Sequence, residues 1–465
     1  MNSYRKDPEA NNLVAAFEEQ FKSGEMAFFE EKAYLKIIEF YEQDHQLDKA
    51  LEVVDCAIAH HSYSADCYTR KAELLIGLGK EEDALRVLEQ ARLYAPLEPD
   101  IDLLWAEAVA GLGRTTEALA LLEQLKDNAG EELLSNIYLV ESIAYEADDQ
   151  HERMFFALKA AIDLDAGNVA ALERFGICVE LSKKYAESIA IHEAILEKDP
   201  YAAIAWFNLG QAHAYLGNYE EAISAYEFAF VIDEDFEDAC RECAVLCFEL
   251  KQYNKSLKYY HELLEAFEPD SEIFTAIGQC YFHLGKYHAA TTFYNRAVQL
   301  DPINDEIFFF IGECYAREES WQTAIHFFEK AIQVEDQREE YYLALGEAYR
   351  CVERQEEAEE CFRQAIGVNS EECFTWMRLV AFLLEAGQAE KALEVAEVGE
   401  EESGSTELVY CRVACLFAIG RRQEACFWLG EALIEDFEMH EMLFDLVPGL
   451  RQDPDVISLI STYSI

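Results

Sequence analysis

The chain has 465 residues, and 51% of them are hydrophobic, which excludes a disordered protein and allows a sizeable buried core. Its 92 Asp and Glu residues outnumber 37 Lys and Arg residues, so the formal net charge is -55. A field of this sign repels phosphate backbones and anionic membrane surfaces. We therefore expect neither a nucleic acid nor a membrane as a partner, although a strongly acidic surface also simply keeps a long helical protein in solution.

The N-terminal stretch MNSYRKDPEANNLVAAFEEQ begins with basic residues but lacks the apolar segment of a signal peptide. Further along, Glu, Lys or Gln interrupts every apolar run well before the roughly 18 residues that a membrane span needs. The 14 cysteines have irregular spacings, unlike the disulfide framework of a small secreted domain. These features predict a cytoplasmic protein with reduced thiols.

Small residues recur along the chain every 34 residues, as from Gly176 to Gly210 and from Gly278 to Gly312. One column of this period contains Gly176, Gly210, Ala244, Gly278, Gly312 and Gly346. Two others contain Ala222, Ser256, Ala290, Ala324, Ala358 and Ala392, and Ala229, Ala297, Ala331 and Ala365. Small residues in phase indicate that pairs of helices approach closely in every repeat, with Gly210 and its equivalents facing the second helix.

The clearest repeat reads AIAWFNLGQAHAYLGNYEEAISAYEFAFVIDED, from Ala203 to Asp235. Apolar residues fall at helical spacing on both sides of Gly217, so each repeat should be two helices joined by a short turn. This stretch resembles the tetratricopeptide repeat (TPR) family, whose signature order is followed by Trp206, Leu209, Gly210, Gly217, Tyr219, Ala222, Tyr226 and Ala229.

The resemblance implies an all-α fold, a right-handed superhelical solenoid of antiparallel helix hairpins, with about twelve repeats over residues 31–439. Residues 1–30 should form an N-terminal capping helix region, with a helix from Asn11 to Glu30, and residues 440–465 should form C-terminal capping helices. The repeats should begin near Glu31, Ala65, Pro99, Ser135, Val169, Ala203, Glu237, Ser271, Asp305, Glu339, Cys373 and Thr406.

The segment CRECAVLCFEL places Cys240, Cys243 and Cys247 at intervals of three and four residues. A C-x-x-C pair alone is a weak metal signal, and the repeat register assigns all three to apolar core columns. We therefore expect buried, metal-free thiols. The sequence also contains no phosphate-binding glycine loop and no G-x-S-x-G elbow, so we expect no cofactor and no catalytic activity.

In TPR proteins the first helices line a concave groove that usually holds a peptide or helix of a partner. The register assigns to this groove Phe207, Gln211, Arg241, Phe248, Gln279, Phe282, Phe309, Glu313, Leu343, Glu347, Arg350 and Phe374. Aromatic rings beside Glu306, Glu313, Glu340 and Glu347 favour an apolar or basic segment of a protein or peptide partner. Alternatively, some of these phenylalanines pack against the neighbouring repeat.

Some family members clamp the terminal carboxylate of chaperones with basic groove residues. Here the corresponding columns hold Leu35 with Glu39, Thr69 with Glu73 and Leu103 with Glu107, which predicts that no such clamp exists. The sequence thus favours a non-catalytic protein-interaction scaffold. It does not indicate an oligomeric state. An accessory or regulatory subunit of an enzyme complex is the alternative, and an enzyme with an unrecognised site is a third.

Overall fold

The computed structural model describes residues 8–23, 28–43, 46–127 and 129–463. Over these ranges the regular structure consists of 27 α-helices and two short 3₁₀ segments, without a strand. The chain divides into two compact units, Met1–Leu250 and Lys251–Ile465. The predicted all-α class is therefore confirmed.

The first unit contains α1 to α14, in which even-numbered helices from α2 are the first helices of repeats. Their bounds are α1 Pro8–Ser23, α2 Glu31–Gln43, α3 Leu47–His60, α4 Ala65–Gly77, α5 Glu81–Tyr94, α6 Pro99–Gly111, α7 Thr115–Lys126, α8 Glu131–Glu146, α9 His151–Leu164, α10 Val169–Ser182, α11 Tyr185–Lys198, α12 Ala203–Tyr215, α13 Tyr219–Ile232 and α14 Glu237–Glu249.

The second unit contains α15 to α27, with the same alternation of second and first helices up to α25. Their bounds are α15 Tyr253–Ala266, α16 Ser271–His283, α17 Tyr287–Leu300, α18 Asp305–Arg317, α19 Trp321–Val334, α20 Glu339–Cys351, α21 Gln355–Val368, α22 Cys373–Glu385, α23 Ala389–Ser403, α24 Thr406–Ile419, α25 Arg422–Glu435, α26 Glu441–Leu446 and α27 Pro454–Tyr463.

Consecutive helices pack as hairpins, as the repeat pattern predicts. In the first unit the tight pairs are α2/α3, α4/α5, α6/α7, α8/α9 and α12/α13; in the second they are α16/α17, α18/α19, α20/α21, α22/α23 and α24/α25. First helices begin at the predicted positions with one exception. Helix α8 begins at Glu131 rather than near Ser135, because Gly130 is extended and Glu131 and Glu132 favour the positive end of the helix dipole.

From α4/α5 onward, the turn inside each repeat contains a residue with positive φ, which lets the chain leave one helix and start the next. In six of these turns the residue is a glycine, such as Gly285 with φ 70°. The Lys286 N–H then donates to the Tyr281 carbonyl at 2.9 Å and closes the end of α16. In repeats without the glycine, the same conformation is adopted by Asp149, Lys183, Lys251, Glu319 and Glu353.

The glycine column of the first helices faces an aromatic ring on the second helix, as predicted. A Cβ on Gly278 would lie 2.4 Å from Tyr294 Cε1, and one on Gly312 would lie 2.5 Å from Phe328 Cε1. Gly210 and Gly346 make the equivalent close approach to their own second helices. Each ring therefore occupies the space that a side chain would need, and this contact joins the two helices of a repeat.

The α10/α11 pair departs from this pattern, because His192 stands in the column that holds Tyr or Phe in the five following repeats. Gly176 faces Asn208 and Gln211 of α12 instead, and α10 packs closely on α9 and α12 but little on α11. His192 is fully buried, and its Nδ1 lies 2.9 Å from the Ser188 carbonyl oxygen, to which it donates. Among the described residues its Nε2 has no hydrogen-bond partner, and burial lowers the pKa of this imidazole to about 4.

Additional helices pack at the two ends of the chain. On α1, Val14 and Phe17 pack into a core with Tyr34 and Ile37 of α2. This helix ends at Ser23, residues 24–27 of the predicted capping helix lie outside the described residues, and residues 28–30 are not helical. On the other side, Leu443, Leu450 and Val456 join the core of α24 and α25. The division into 1–30, 31–439 and 440–465 stays a prediction.

The cysteines of α14 are core residues, since Cys240, Cys243 and Cys247 are at most 1% exposed. The Cys243 thiol points to the Ile223 carbonyl oxygen at 3.7 Å. Among the described residues, no three His, Cys, Asp or Glu side chains come together in a way that could hold a metal ion. In the same part of the chain, no helix has the length and apolar character needed to cross a bilayer.

We predict that the Gly278→Ala substitution lowers the free energy of unfolding by about 1–3 kcal/mol, because the added methyl collides with the buried Tyr294 ring. The matched control is Gly367→Ala in α21, where a Cβ meets nothing within 4 Å. There the better helix propensity of alanine should stabilise the protein by up to about 1 kcal/mol. Urea unfolding followed by circular dichroism measures both changes, and equal effects would contradict the glycine–aromatic contact.

We also predict a pH dependence of stability that originates at His192. Because its pKa in the folded protein is about 4, below the ordinary 6.5, the unfolded chain takes up the proton first as the pH falls. The stabilisation is complete above pH 6.5 and is lost between pH 6.5 and about 4, at a cost of about 3 kcal/mol. A His192→Phe variant should show a smaller loss when its urea midpoints at pH 5 and pH 7 are compared with those of the wild type. Identical pH profiles would contradict the assignment.

Candidate functional site: the first-helix face

The groove residues predicted from the register lie on six first helices, α12 and α14 in the first unit and α16, α18, α20 and α22 in the second. We call the corresponding side of all the first helices, taken separately in each unit, the first-helix face. Phe374 is 52% exposed, whereas the other predicted residues are partly buried. Most of the predicted side chains therefore also touch other parts of the protein, and their contacts decide what each one can do.

In the first unit, Phe207 packs between repeats. Its ring centroid lies 4.9 Å from that of Phe236, which precedes α14, and 5.4 Å from that of Tyr226 on its own second helix. Arg241 donates from Nη2 to Glu237 Oε1 at 2.6 Å. The side chain of Gln211 lies against Gly176 of the preceding first helix. These contacts make Phe207 and Gln211 part of the joint between neighbouring repeats.

In the second unit, Phe309 has the same joining role. Its ring stacks on Tyr341 of the next first helix, with centroids 4.8 Å apart, and lies 5.7 Å from Phe328. Phe282 instead contacts Tyr287 at 5.5 Å, and the Arg317 guanidinium lies 5.9 Å from its ring centroid. Of the remaining residues, Leu343 packs against the core of this unit, while Phe248 and Gln279 are partly buried on α14 and α16.

Glu306, Glu313, Glu340 and Glu347, the carboxylates that were expected to favour a basic segment, are paired with arginines. Arg338 reaches Glu306 at 2.8 Å and Glu340 at 3.7 Å. Glu347 accepts from Arg350 at 2.8 Å and is also paired with Arg378, and Glu313 lies 3.6 Å from Arg317. Burial raises the pKa of the Glu313 carboxyl. The arginines balance much of the negative charge that the sequence had suggested for α18 and α20.

Unbalanced negative charge is concentrated instead on the first helices at the start of the first unit. Two cavities of about 400 and 440 Å³ adjoin there, one between α2, α4 and α6, the other between α4, α6 and α8. They share Thr69, Glu73 and Asp100. Among the described residues that line them, Arg70 alone is basic, and the acidic ones are Glu39, Asp66, Glu73, Glu98, Asp100 and Glu132. We call these two spaces the acidic cavities.

The contacts of Arg70 show how little of this charge is compensated. Its guanidinium donates to Glu73 Oε2 at 2.7 Å and also bonds Glu42 of α2, so Glu73 is the one lining carboxylate among these two partners. Burial raises the pKa of Glu42 and of Glu107, and the nearby charge of Glu73 raises both further. Crowded, partly dehydrated carboxylates of this kind can hold an ammonium or guanidinium group.

The acidic cavities are not among the residues predicted from the register, although the sequence contains a signal for them. Glu39, Glu73 and Glu107 occupy the same column of successive first helices and had served only to exclude a chaperone clamp. What the column does not reveal is that Asp66, Glu98 and Asp100, at or before the first turns of α4 and α6, converge on the same space. That convergence depends on how neighbouring repeats stack.

Several solved structures of helical repeat proteins are similar to this chain. The crystal structure of YrrB, a TPR protein with an unusual peptide-binding site, has 20% sequence identity and a TM-score of 0.35, and the match covers 40% of this chain and 95% of that one. A TPR protein from Parabacteroides merdae has 16% sequence identity and a TM-score of 0.38, and the match covers 53% of this chain and 98% of that one. The crystal structure of the APC/C hetero-tetramer Cut9–Hcn1 has 13% sequence identity and a TM-score of 0.36, and the match covers 94% of this chain and 97% of that one.

Family models identify the repeats directly. Models described as tetratricopeptide repeat match residues 69–132, 203–236 and 339–372. A model described as anaphase-promoting complex, cyclosome, subunit 3 matches residues 249–331. No curated protein matches the sequence. With these matches falling on helices that pack as consecutive hairpins, the chain belongs to the tetratricopeptide repeat family.

Proposed function

We propose that this protein is a non-catalytic, cytoplasmic interaction scaffold whose first-helix face holds an apolar or basic segment of a protein partner. The pair of acidic cavities on α2 to α8 is the observation that supports this most strongly. Six carboxylates and one arginine line a concave space large enough for side chains of lysine or arginine. An acidic segment would be repelled there.

The residues of the cavities divide into two roles in this proposal. Glu39, Glu73 and Asp100 attract the cationic groups of the segment, whereas Leu35 and Leu103 offer apolar surface between the carboxylates. Charge attraction of this kind acts mainly on the association rate and is screened over about 8 Å at physiological salt. Contact with apolar side chains acts on the dissociation rate and depends little on salt. The two contributions can therefore be measured separately.

We predict that the double substitution Glu73→Gln and Asp100→Asn weakens binding of a basic segment, because it removes charge that both cavities share. The probe is a fluorescein-labelled peptide of alternating arginine and leucine, measured by stopped-flow fluorescence and anisotropy. Its association should slow by about threefold to tenfold, and the dependence of the rate on salt should become shallower. The substitutions should leave the binding of the corresponding glutamate–leucine peptide unchanged, because an acidic peptide does not use the acidic cavities.

The matched control neutralises Glu82 and Glu89 of α5, two exposed carboxylates in the same unit that line neither cavity. The change in net charge is the same in the two variants. If the control slows association as much as the cavity variant does, the overall charge attracts the peptide and the acidic cavities are not its site.

A second candidate is an accessory or regulatory subunit of an enzyme complex, which was the alternative suggested by the sequence. The match of residues 249–331 to the model of an anaphase-promoting complex subunit supports it. These residues comprise α15 to α18 and most of α19. In this role the helices would hold a catalytic partner rather than a peptide.

Affinity purification of the full chain followed by quantitative mass spectrometry separates the two candidates. For a scaffold we expect several proteins, each in less than equimolar amount and each depleted in the Glu73→Gln/Asp100→Asn variant. One enzyme that copurifies in equimolar amount, and whose recovery is unchanged in that variant, would favour the subunit of an enzyme complex.

A further inference from the structure

A second surface with different chemistry lies on the second helices of the first unit. A groove of about 420 Å³ runs between α9 and α11, and we call it the α9–α11 groove. Its floor contains Phe155, Ile162 and Ile195, which belong to the core of this part of the chain. The acidic cavities are formed by first helices and share no lining residue with it.

The repeat register shows that this part of the surface is unusually apolar. Phe156 and Ala190 both line the groove, and Phe156 is 55% exposed. The equivalent positions in the next five repeats are all exposed and all polar: Ser224, Lys258, Thr292, His326 and Glu360. An outward-facing column that is polar in the five following repeats is thus apolar at the two adjacent repeats that form the groove. Solvent contact alone gives no reason for this change.

The departure of α11 from the hairpin rule explains why an open space exists. In four other repeats an aromatic ring of the second helix lies on the glycine of the first helix, whereas Gly176 faces α12 and α11 packs little on α10. On its groove side α11 carries Ala190 and Ala194, which are too small to reach α9. The gap between the second helices therefore stays open above the floor.

Charge around the groove is opposite in sign to that of the whole protein. Lys159, Lys184 and Lys198 line it together with Asp163 and Glu187. The Lys184 ammonium lies 5.3 Å from the centroid of the Phe156 ring and pairs with Glu152 at 3.7 Å. In the described part of the chain, Lys159 and Lys198 form no ion pair. Three lysines at one apolar groove stand out in a chain with a net charge of -55.

We propose that the α9–α11 groove docks an acidic amphipathic segment of a protein partner. Apolar side chains of the segment would lie on Phe155, Phe156 and Ala190, and its carboxylates would face Lys159 and Lys198. A cavity of this volume falls within the range of about 300–1,000 Å³ that is usual for binding pockets, enough for a few anchor side chains. This surface is separate from the first-helix face, so one protein can hold a basic and an acidic segment together.

Other occupants fit the groove less well. A basic segment would be attracted to the acidic cavities and repelled by the unpaired lysines. A second copy of this chain would bring another charge of -55, and repulsion between the copies would oppose a contact of this size. Acidic charge combined with apolar side chains is the chemistry that matches both the floor and the rim.

The test starts from a displayed library of random peptides that is selected on the full chain and then on an Ala190→Glu variant. Ala190 is exposed, so the added carboxylate changes the groove without disturbing the core. Peptides that are lost on the variant should have apolar residues at helical spacing and an excess of Asp and Glu. If no peptide is lost, or if the lost peptides are basic, the proposal is wrong.

A synthetic copy of one lost peptide then measures the role of the lysines. Its dissociation constant should rise at least about tenfold for the Lys159→Glu/Lys198→Glu variant, because two attractions become repulsions. The control Ser224→Glu adds a charge at the exposed position that is equivalent to Ala190 in the next repeat. It should change the dissociation constant by less than about twofold. Equal losses in both variants would overturn the assignment.

Two further readouts keep this proposal independent of the proposed function. The arginine–leucine peptide should bind the Ala190→Glu variant as it binds the wild type, because the acidic cavities are unchanged. Sedimentation equilibrium of the protein alone examines the second copy as an occupant. A dimer that dissociates on Ala190→Glu would mean that the chain itself fills the groove, and the proposal of an acidic partner segment would be wrong.

Discussion

The close approach of a glycine on the first helix to an aromatic ring on the second is the contact on which four of the repeats depend. Gly278 with Tyr294 and Gly312 with Phe328 leave no room for even a methyl group between the helices. Phe328, which closes its hairpin, contacts Phe309 of the same repeat, and Phe309 in turn stacks on Tyr341 of the following repeat. Packing within a repeat and between repeats is thus continuous, and the aromatic side chains of the first-helix face serve the array as well as any partner.

Much of the fold can be predicted from the sequence, because a repeat of fixed length carries its own alignment. The register locates the helices, the glycine column and the buried cysteines of α14. It also locates the turns, since Lys183, Lys251 and Glu353 adopt positive φ although lysine and glutamate do not favour it. Residue type alone would have missed these turns. Their position one period from Gly217, Gly285 or Gly387 identifies them, so the stacking of the repeat imposes a conformation that the local sequence does not prefer.

The candidate site is less predictable, because its charge depends on contacts that cross columns and repeats. From the sequence column alone, Glu347 would be a free carboxylate. In the structure, Arg350 from its own helix and Arg378 from the next first helix both reach it. Arg338 precedes α20 and still pairs with Glu306 of α18. In the acidic cavities the opposite occurs, since carboxylates from four successive first helices converge with one arginine among them. A register assigns each side chain to a face but does not determine which charges remain uncompensated there.

Departures from the repeat therefore carry more functional information than the repeat itself. Replacing one aromatic residue by His192 has three consequences in one hairpin: a buried neutral imidazole, a glycine that faces the next first helix, and a second helix set apart from its partner. Each lowers the stability that the regular contact would provide, and a sequence under selection for stability alone would restore the ring. The groove beside α11, with its exposed Phe156 and unpaired lysines, is what the protein has in place of that contact. A binding surface there would explain why the less stable arrangement persists.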